Sequence, residues 1–151
     1  MKASQALPRR ILLTLVGAGV VAPLVPQGAR AASGPSAEMT KFLAGRTPKV
    51  GGVRLDIPAI AENGLVVPLT VEAESPMTDA DFIRTIHVFA EGNPNTLAAT
   101  FHFTPACGRA AASIRIRLAQ TQDVVAIAET SGGELRMAQG EVKVTIGGCG
   151  G

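Results

Sequence analysis

Cys149 carries the most accessible chemistry in the 151-residue sequence, in the segment Gly147-Gly148-Cys149-Gly150-Gly151. Glycine on both sides leaves no Cβ near the thiol and allows wide backbone freedom, so a slender, flexible strip of chain presents the sulfur. Extended, that strip carries Cys149 roughly 10 Å beyond Ile146, far enough to enter a narrow cleft while the rest of the protein stays outside. An exposed thiol with a pKa of about 8.5 is a few per cent thiolate at neutral pH, and thiolate is the form that attacks or accepts sulfur. Ordering the glycines on binding costs entropy, so capture should be weak and release quick. Those properties suit covalent carriage of a small sulfur compound handed from enzyme to enzyme.

The other reactive side chains form no comparable site. His87 and His102 sit inside strand patterns with no Cys or carboxylate at a metal-ligand spacing, so neither a metal nor another cofactor is expected. Asp79 with Asp81, and Glu72 with Glu74, are alternate carboxylates that read as solvated faces, with no nucleophile or phosphate loop nearby. No catalytic residue is assigned. Arg115 and Arg117 share the wet face of one strand; a solvated face is the default, and an anion site or a protein interface is the alternative. A Cys-x-x-Cys pair, the usual basis of thiol oxidoreductase chemistry, is missing. Three further readings of the tail stand beside carriage. A structural disulfide could join Cys149 to Cys107, in the turn Pro105-Ala106-Cys107-Gly108, although clamping a glycine-flanked chain end gains little. A prenylation box would need two aliphatic residues after the cysteine, and Cys-Gly-Gly lacks them. Gly150-Gly151 is similar to the ends of ubiquitin-like sulfur carriers, but those are cytoplasmic mixed α/β proteins.

The elements that must hold such a tail are almost all strands. Ser36 to Gly45 can form one short helix, with Ser36 as its cap and Met39, Phe42 and Leu43 on one face. Pro48, Pro58, Pro68 and Pro76 then exclude any long helix. From Gly64 onward the runs are Leu65 to Ala73, Phe82 to Ala90, Leu97 to Phe103, Ser113 to Gln120, Val124 to Glu129, Leu135 to Met137 and Glu141 to Ile146. The cleanest alternation places Ile114, Ile116 and Leu118 inward and Arg115 and Arg117 outward; the last run places Val142, Val144 and Ile146 inward. Six or seven short strands at this spacing predict a mainly β fold, an antiparallel immunoglobulin-like β-sandwich with a short N-terminal helix.

The first residues have a different purpose. A polar start ending in Pro8-Arg9-Arg10, the apolar run Ile11 to Leu24 and the small-residue pattern Ala29-Arg30-Ala31 make residues 1–31 an export signal, cut after Ala31. The run is too short for a permanent membrane helix. Arg9 and Arg10 directly before Ile11-Leu12-Leu13 fit the twin-arginine type, with an ordinary secretory signal as the alternative. The domains are then a signal (1–31), a β-sandwich carrier domain (32–146) and a flexible carrier tail (147–151), and the expected compartment is the periplasm. Four of the 14 basic residues fall in the signal and all 12 acidic residues fall after it, so the mature chain is mildly acidic. With Trp and Tyr absent and five Phe in the sequence, no stacked aromatic surface is on offer, so nucleic acid is not an expected partner. No second apolar segment of spanning length follows, so no membrane contact is expected after cleavage.

The Gly147 to Gly151 tail, the twin-arginine-like start, and Ile57-Pro58, Ala61-Glu62-Asn63-Gly64 and Val67-Pro68 together resemble the SoxY family. These are the sulfur-compound carrier subunits of the bacterial periplasmic thiosulfate-oxidising (Sox) system. The resemblance implies an immunoglobulin-like domain paired with a second β-sandwich subunit, SoxZ, as a heterodimer. It implies that thiosulfate or a related species is held on Cys149 through an S–S bond, loaded by a cytochrome-containing partner. A sulfate-releasing hydrolase and a sulfane dehydrogenase would then act on the adduct, with this chain as platform and not as catalyst. Cys107 is not an expected feature of that family.

Overall fold

The structure is a computed structural model and describes residues 34–146. The expected signal, with Arg9 and Arg10, and the expected carrier tail, with Gly147, Gly148, Cys149, Gly150 and Gly151, lie outside the described residues.

One α-helix, α1 (Ala37–Leu43), precedes nine strands in the described residues. They are β1 (Lys49–Val50), β2 (Val53–Asp56), β3 (Ile60–Asn63), β4 (Val67–Ala73), β5 (Ile83–Ala90), β6 (Leu97–His102), β7 (Ala110–Ile116), β8 (Gln122–Thr130) and β9 (Leu135–Ile146). A single 3-10 turn, Pro105–Cys107, links β6 to β7. The larger sheet runs β1-β9-β8-β5-β6 with β3 also on β9; the smaller runs β2-β4-β7. Their facing sides share one core, in which Val67, Leu69, Val71, Ile86, Val88, Leu118, Val124 and Val142 are fully or almost fully buried. Burying a side chain of this size stabilises by about 1.5–3 kcal/mol, so this layer holds the sandwich together.

The sandwich and the capped helix are as expected. The Ser36 hydroxyl accepts from the Met39 N–H, and Ala44, at φ 47°, ends the helix. Met39, Phe42 and Leu43 do share a face, and it covers the outer side of the larger sheet against Phe89, Val125, Ile127 and Leu135. β8 is therefore buried on both sides along most of its length. Two carboxylates fasten the helix: Glu91 accepts from the Ser36 N–H at 2.6 Å, and Glu38 accepts from the Thr96 hydroxyl at 2.5 Å and the Leu97 N–H at 2.9 Å.

Several particulars differ from the sequence reading. The proline-spaced stretch before Gly64 supplies three strands, and β1 and β3 pair with β9 in parallel, so the pairing is not antiparallel throughout. The two final runs are a single 12-residue strand. The break expected between them falls at Gly140, which lies inside the strand, where an added Cβ would come within 3.3 Å of Ile57 Cγ2; the glycine marks a close approach and not a turn. β7 begins at Ala110, three residues earlier than expected, and Leu118 is buried just beyond its end.

Candidate functional site

The described part of the expected site is the root of the tail, where β9 ends at Ile146. β8 escorts β9 only as far as Val142, opposite Gln122. Beyond that point β3 takes over, pairing Ile60 with Lys143, Ala61 with Val144 and Asn63 with Ile146. Three bonds extend this clamp: the Lys143 N–H donates to the Ala59 carbonyl at 2.9 Å, the Thr145 hydroxyl to the Glu62 carbonyl at 2.9 Å, and the Gly64 N–H to the Ile146 carbonyl at 2.8 Å. On the other flank Thr121 Oγ1 accepts from the Val144 N–H and donates to the Val144 carbonyl, doing for one residue what a neighbouring strand would do. The Leu118 N–H donates to the Gly64 carbonyl at 2.7 Å, tying the clamp to the smaller sheet. The backbone is thus held up to the last residue before the glycines.

The apolar core stops earlier than the hydrogen bonding. Val142 is fully buried and Val144 half-buried, but Ile146, expected to point inward, is 68% exposed. Leu65 and Val66 in the β3–β4 connection are also exposed, as is Ile60 on β3. β3 was missed because a four-residue strand ending in Asn63-Gly64 reads as a turn.

Cys107 lies at the other end of the sandwich. Its turn precedes Ala110, which pairs with Ala73 at the far end of β4 from Gly64. Gly64, beside Ile146, precedes β4, whose six residue steps from Val67 to Ala73 span about 20 Å. Cys107 and the end of β9 thus lie toward opposite ends of β4, and Cys149, the partner in the disulfide alternative, is outside the described residues. Cys107 is free and exposed. The Thr104 N–H reaches its sulfur at 3.5 Å and the Thr104 hydroxyl at 3.7 Å, and these contacts hold the thiol pKa below its ordinary value.

The remaining candidates have structural partners. His87 lies on β5 beneath the helix, its ring 4.2 Å from that of Phe42 and its Nδ1 3.1 Å from Thr100 Oγ1; burial lowers its pKa. His102 is exposed at the end of β6, and among the described residues no group of three or more His, Cys, Asp or Glu side chains converges. Glu72 belongs less to a solvated face than expected: it forms a two-pronged ion pair with Arg109, both contacts at 2.7 Å, which lowers its pKa. Asp79 and Asp81 lie in the turn before β5, where the Asp81 N–H donates to the Thr78 carbonyl. Arg115 on β7 and Arg117 just past its end are both exposed, as expected.

Comparison with known proteins bears on residues 39–149, which match the family described as sulfur oxidation protein SoxY; the match ends on Cys149. No curated protein matches. Among solved structures, the sulfur carrier protein SoxY from Chlorobium limicola f thiosulfatophilum is 29% identical with a TM-score of 0.57, covering 72% of this chain and 94% of that one. A superoxide reductase (neelaredoxin) from Ignicoccus hospitalis is 20% identical with a TM-score of 0.56, covering 62% and 80%. The superoxide reductase from Nanoarchaeum equitans is 16% identical with a TM-score of 0.53, covering 63% and 99%. At those identities the likeness to the reductases concerns the fold.

Proposed function

Since the chain belongs to the SoxY family of sulfur oxidation proteins, we propose that it is a periplasmic carrier holding thiosulfate-derived sulfur covalently on Cys149. The observation that carries this reading is that the family match runs through the clamped end of β9 and stops on Cys149, the single reactive side chain in residues 147–151.

Loading joins the Cys149 thiol and thiosulfate in an S–S bond and releases one proton and two electrons, which a cytochrome partner accepts. Water then cleaves the S–SO3 bond on a hydrolase, releasing sulfate and leaving a persulfide on Cys149; a sulfane dehydrogenase oxidises the remaining sulfur. Each step takes place in a partner's active site. This chain contributes a nucleophile, a strip without side-chain bulk, and a root fixed by β3 and Thr121 from which the strip departs. A SoxZ-like β-sandwich subunit completes the carrier as a heterodimer, and Arg9-Arg10 direct export by the twin-arginine route.

Intact mass spectrometry of the protein from a thiosulfate-grown host tests the reading. Sulfur-containing mass additions that disappear with reductant and are missing from Cys149→Ser are expected. An unmodified, unreactive Cys149 overturns it and favours an interaction subunit in which the thiol is incidental.

A further inference from the structure

The two sheets leave one side of the sandwich open. β6 ends the larger sheet and β7 ends the smaller, and among the described residues neither has a neighbour on its outer edge. Between them runs a groove of about 250 Å3, lined by Asn93, Asn95, Leu97 and Ala98 on one wall and residues 114–117 of β7 and its extension on the other.

Backbone direction along β7 follows from its ends. The Leu118 N–H points toward β4, donating to the Gly64 carbonyl, while the Arg117 carbonyl points the other way and accepts from Asn93 Nδ2 at 2.7 Å. The Ala119 N–H points the same way as the Arg117 carbonyl and donates to Asn93 Oδ1 at 2.9 Å. Asn93 therefore occupies, with one side-chain amide, the place of a residue in an added strand. Alternation along an extended strand turns the backbone groups of Ser113 and Arg115 to the same outer edge, where β4 does not reach. Ile114 lies half-buried in the groove and Leu97, across it, is 44% exposed. Arg115 and Arg117 flank the groove on the outer face, and neither forms an ion pair with a carboxylate of the described residues.

The geometry points to β7 as the docking edge for an extended acidic segment of a partner protein, added as a fourth strand to the smaller sheet. Main-chain bonds to Ser113 and Arg115 supply the pairing, up to the place Asn93 already fills, and alternate side chains supply the selectivity. Those facing inward are apolar and cover Ile114 and Leu97; those facing outward are carboxylates opposite Arg115 and Arg117, since opposite charges directly across a ladder attract. Gly64, which links Leu118 to the clamp on β9, lies on the β4 side of this strand, so a partner seated on the opposite, outer edge leaves the tail root clear. The inference does not depend on carriage by Cys149.

A blocked peptide of about ten residues alternating Glu and Val tests it on the mature protein. Binding is read by fluorescence anisotropy and by hydrogen exchange of the Ser113 and Arg115 amides. Expected are slowed exchange at those amides and about tenfold weaker binding by R115E/R117E, with K143E, on β9, close to wild type. Failure of the peptide to bind at millimolar concentration overturns the inference, because the arginines then only guard the edge against pairing. Equal weakening by K143E, or binding without slowed exchange, overturns it too, as attraction by net charge alone.

Discussion

The two ends of the sandwich treat a nearby cysteine in opposite ways. At one end the chain turns back through Pro105–Cys107, and the Cys107 sulfur is drawn onto Thr104 of the same turn. At the other, β3 and Thr121 hold β9 as far as Ile146, and the next reactive side chain lies three residues on, among glycines. A thiol caged by its own loop has a fixed position and a lowered pKa but no reach. A carrier needs the reverse, a rigid root and a free atom, and only the β9 end supplies the root.

The largest expected effect breaks this comparison outright. Cys149→Ser should abolish formation of the sulfur adduct, while Cys107→Ser should leave its rate within about twofold, because a thiol fixed to its own turn cannot follow the carrier into a cleft. Single-turnover loading with thiosulfate, oxidant and the loading partner, followed by mass, checks both. Equal loss in the two variants would mean that the ends cooperate.

Next in size is the support behind the root. Leu118 is fully buried directly behind the Gly64 carbonyl that ties the clamp to the smaller sheet. Leu118→Ala should cost about 2–5 kcal/mol by denaturant unfolding, as cavity formation does in a packed core. Removing Thr104 Oγ1 at the other end should barely change stability, because that hydroxyl is exposed. If both ends proved equally tolerant, the root would not be rigid.

How far each end could be read from sequence follows from how local its interactions are. The helix was legible because its cap and its apolar face lie within eight residues, Ser36 to Leu43. β7 was legible because alternation survives along it. The clamp was not, since β3 owes its existence to a partner some 80 residues away and carries a single buried side chain, Ala61. Gly140 misled for a similar reason: its lack of a side chain answers to Ile57, a contact no local pattern records. Ile146 continued the inward alternation faithfully, but alternation says nothing of where the core ends.

A smaller effect separates the helix from the strands. Hydrogen bonds from the Thr96 hydroxyl and the Leu97 N–H lower the Glu38 pKa below 4.5. A carboxylate with a depressed folded pKa stabilises above its unfolded value, and that contribution is lost as pH falls through the folded one. His87, its pKa lowered by burial, adds in the same sense: its contribution is complete above 6.5 and shrinks as pH falls below that value. Protection of the α1 amides, measured against the intrinsic exchange rate at each pH, should therefore fall on acidification from pH 7 to below pH 4, ahead of that of β8, and Glu38→Gln should flatten the acidic part of that profile. Simultaneous loosening of α1 and β8 would show that the helix is not a separately fastened layer.

The smallest effect sharpens the contrast between the thiols. Two contacts lower the Cys107 pKa, the Thr104 N–H first and its hydroxyl second. Thr104→Val removes only the hydroxyl, so the pKa should rise part of the way back and the backbone contact should keep the rest. A higher pKa means less thiolate at neutral pH, and alkylation of Cys107 at pH 7 should slow by about two- to threefold. Alkylation of Cys149 in the same sample should not change, since the substitution lies toward the opposite end of β4, about 20 Å from the tail root. A parallel change at both thiols would mean that the ends communicate through the sandwich; a change at Cys107 alone would leave the turn as a self-contained cage, with nothing to hand on.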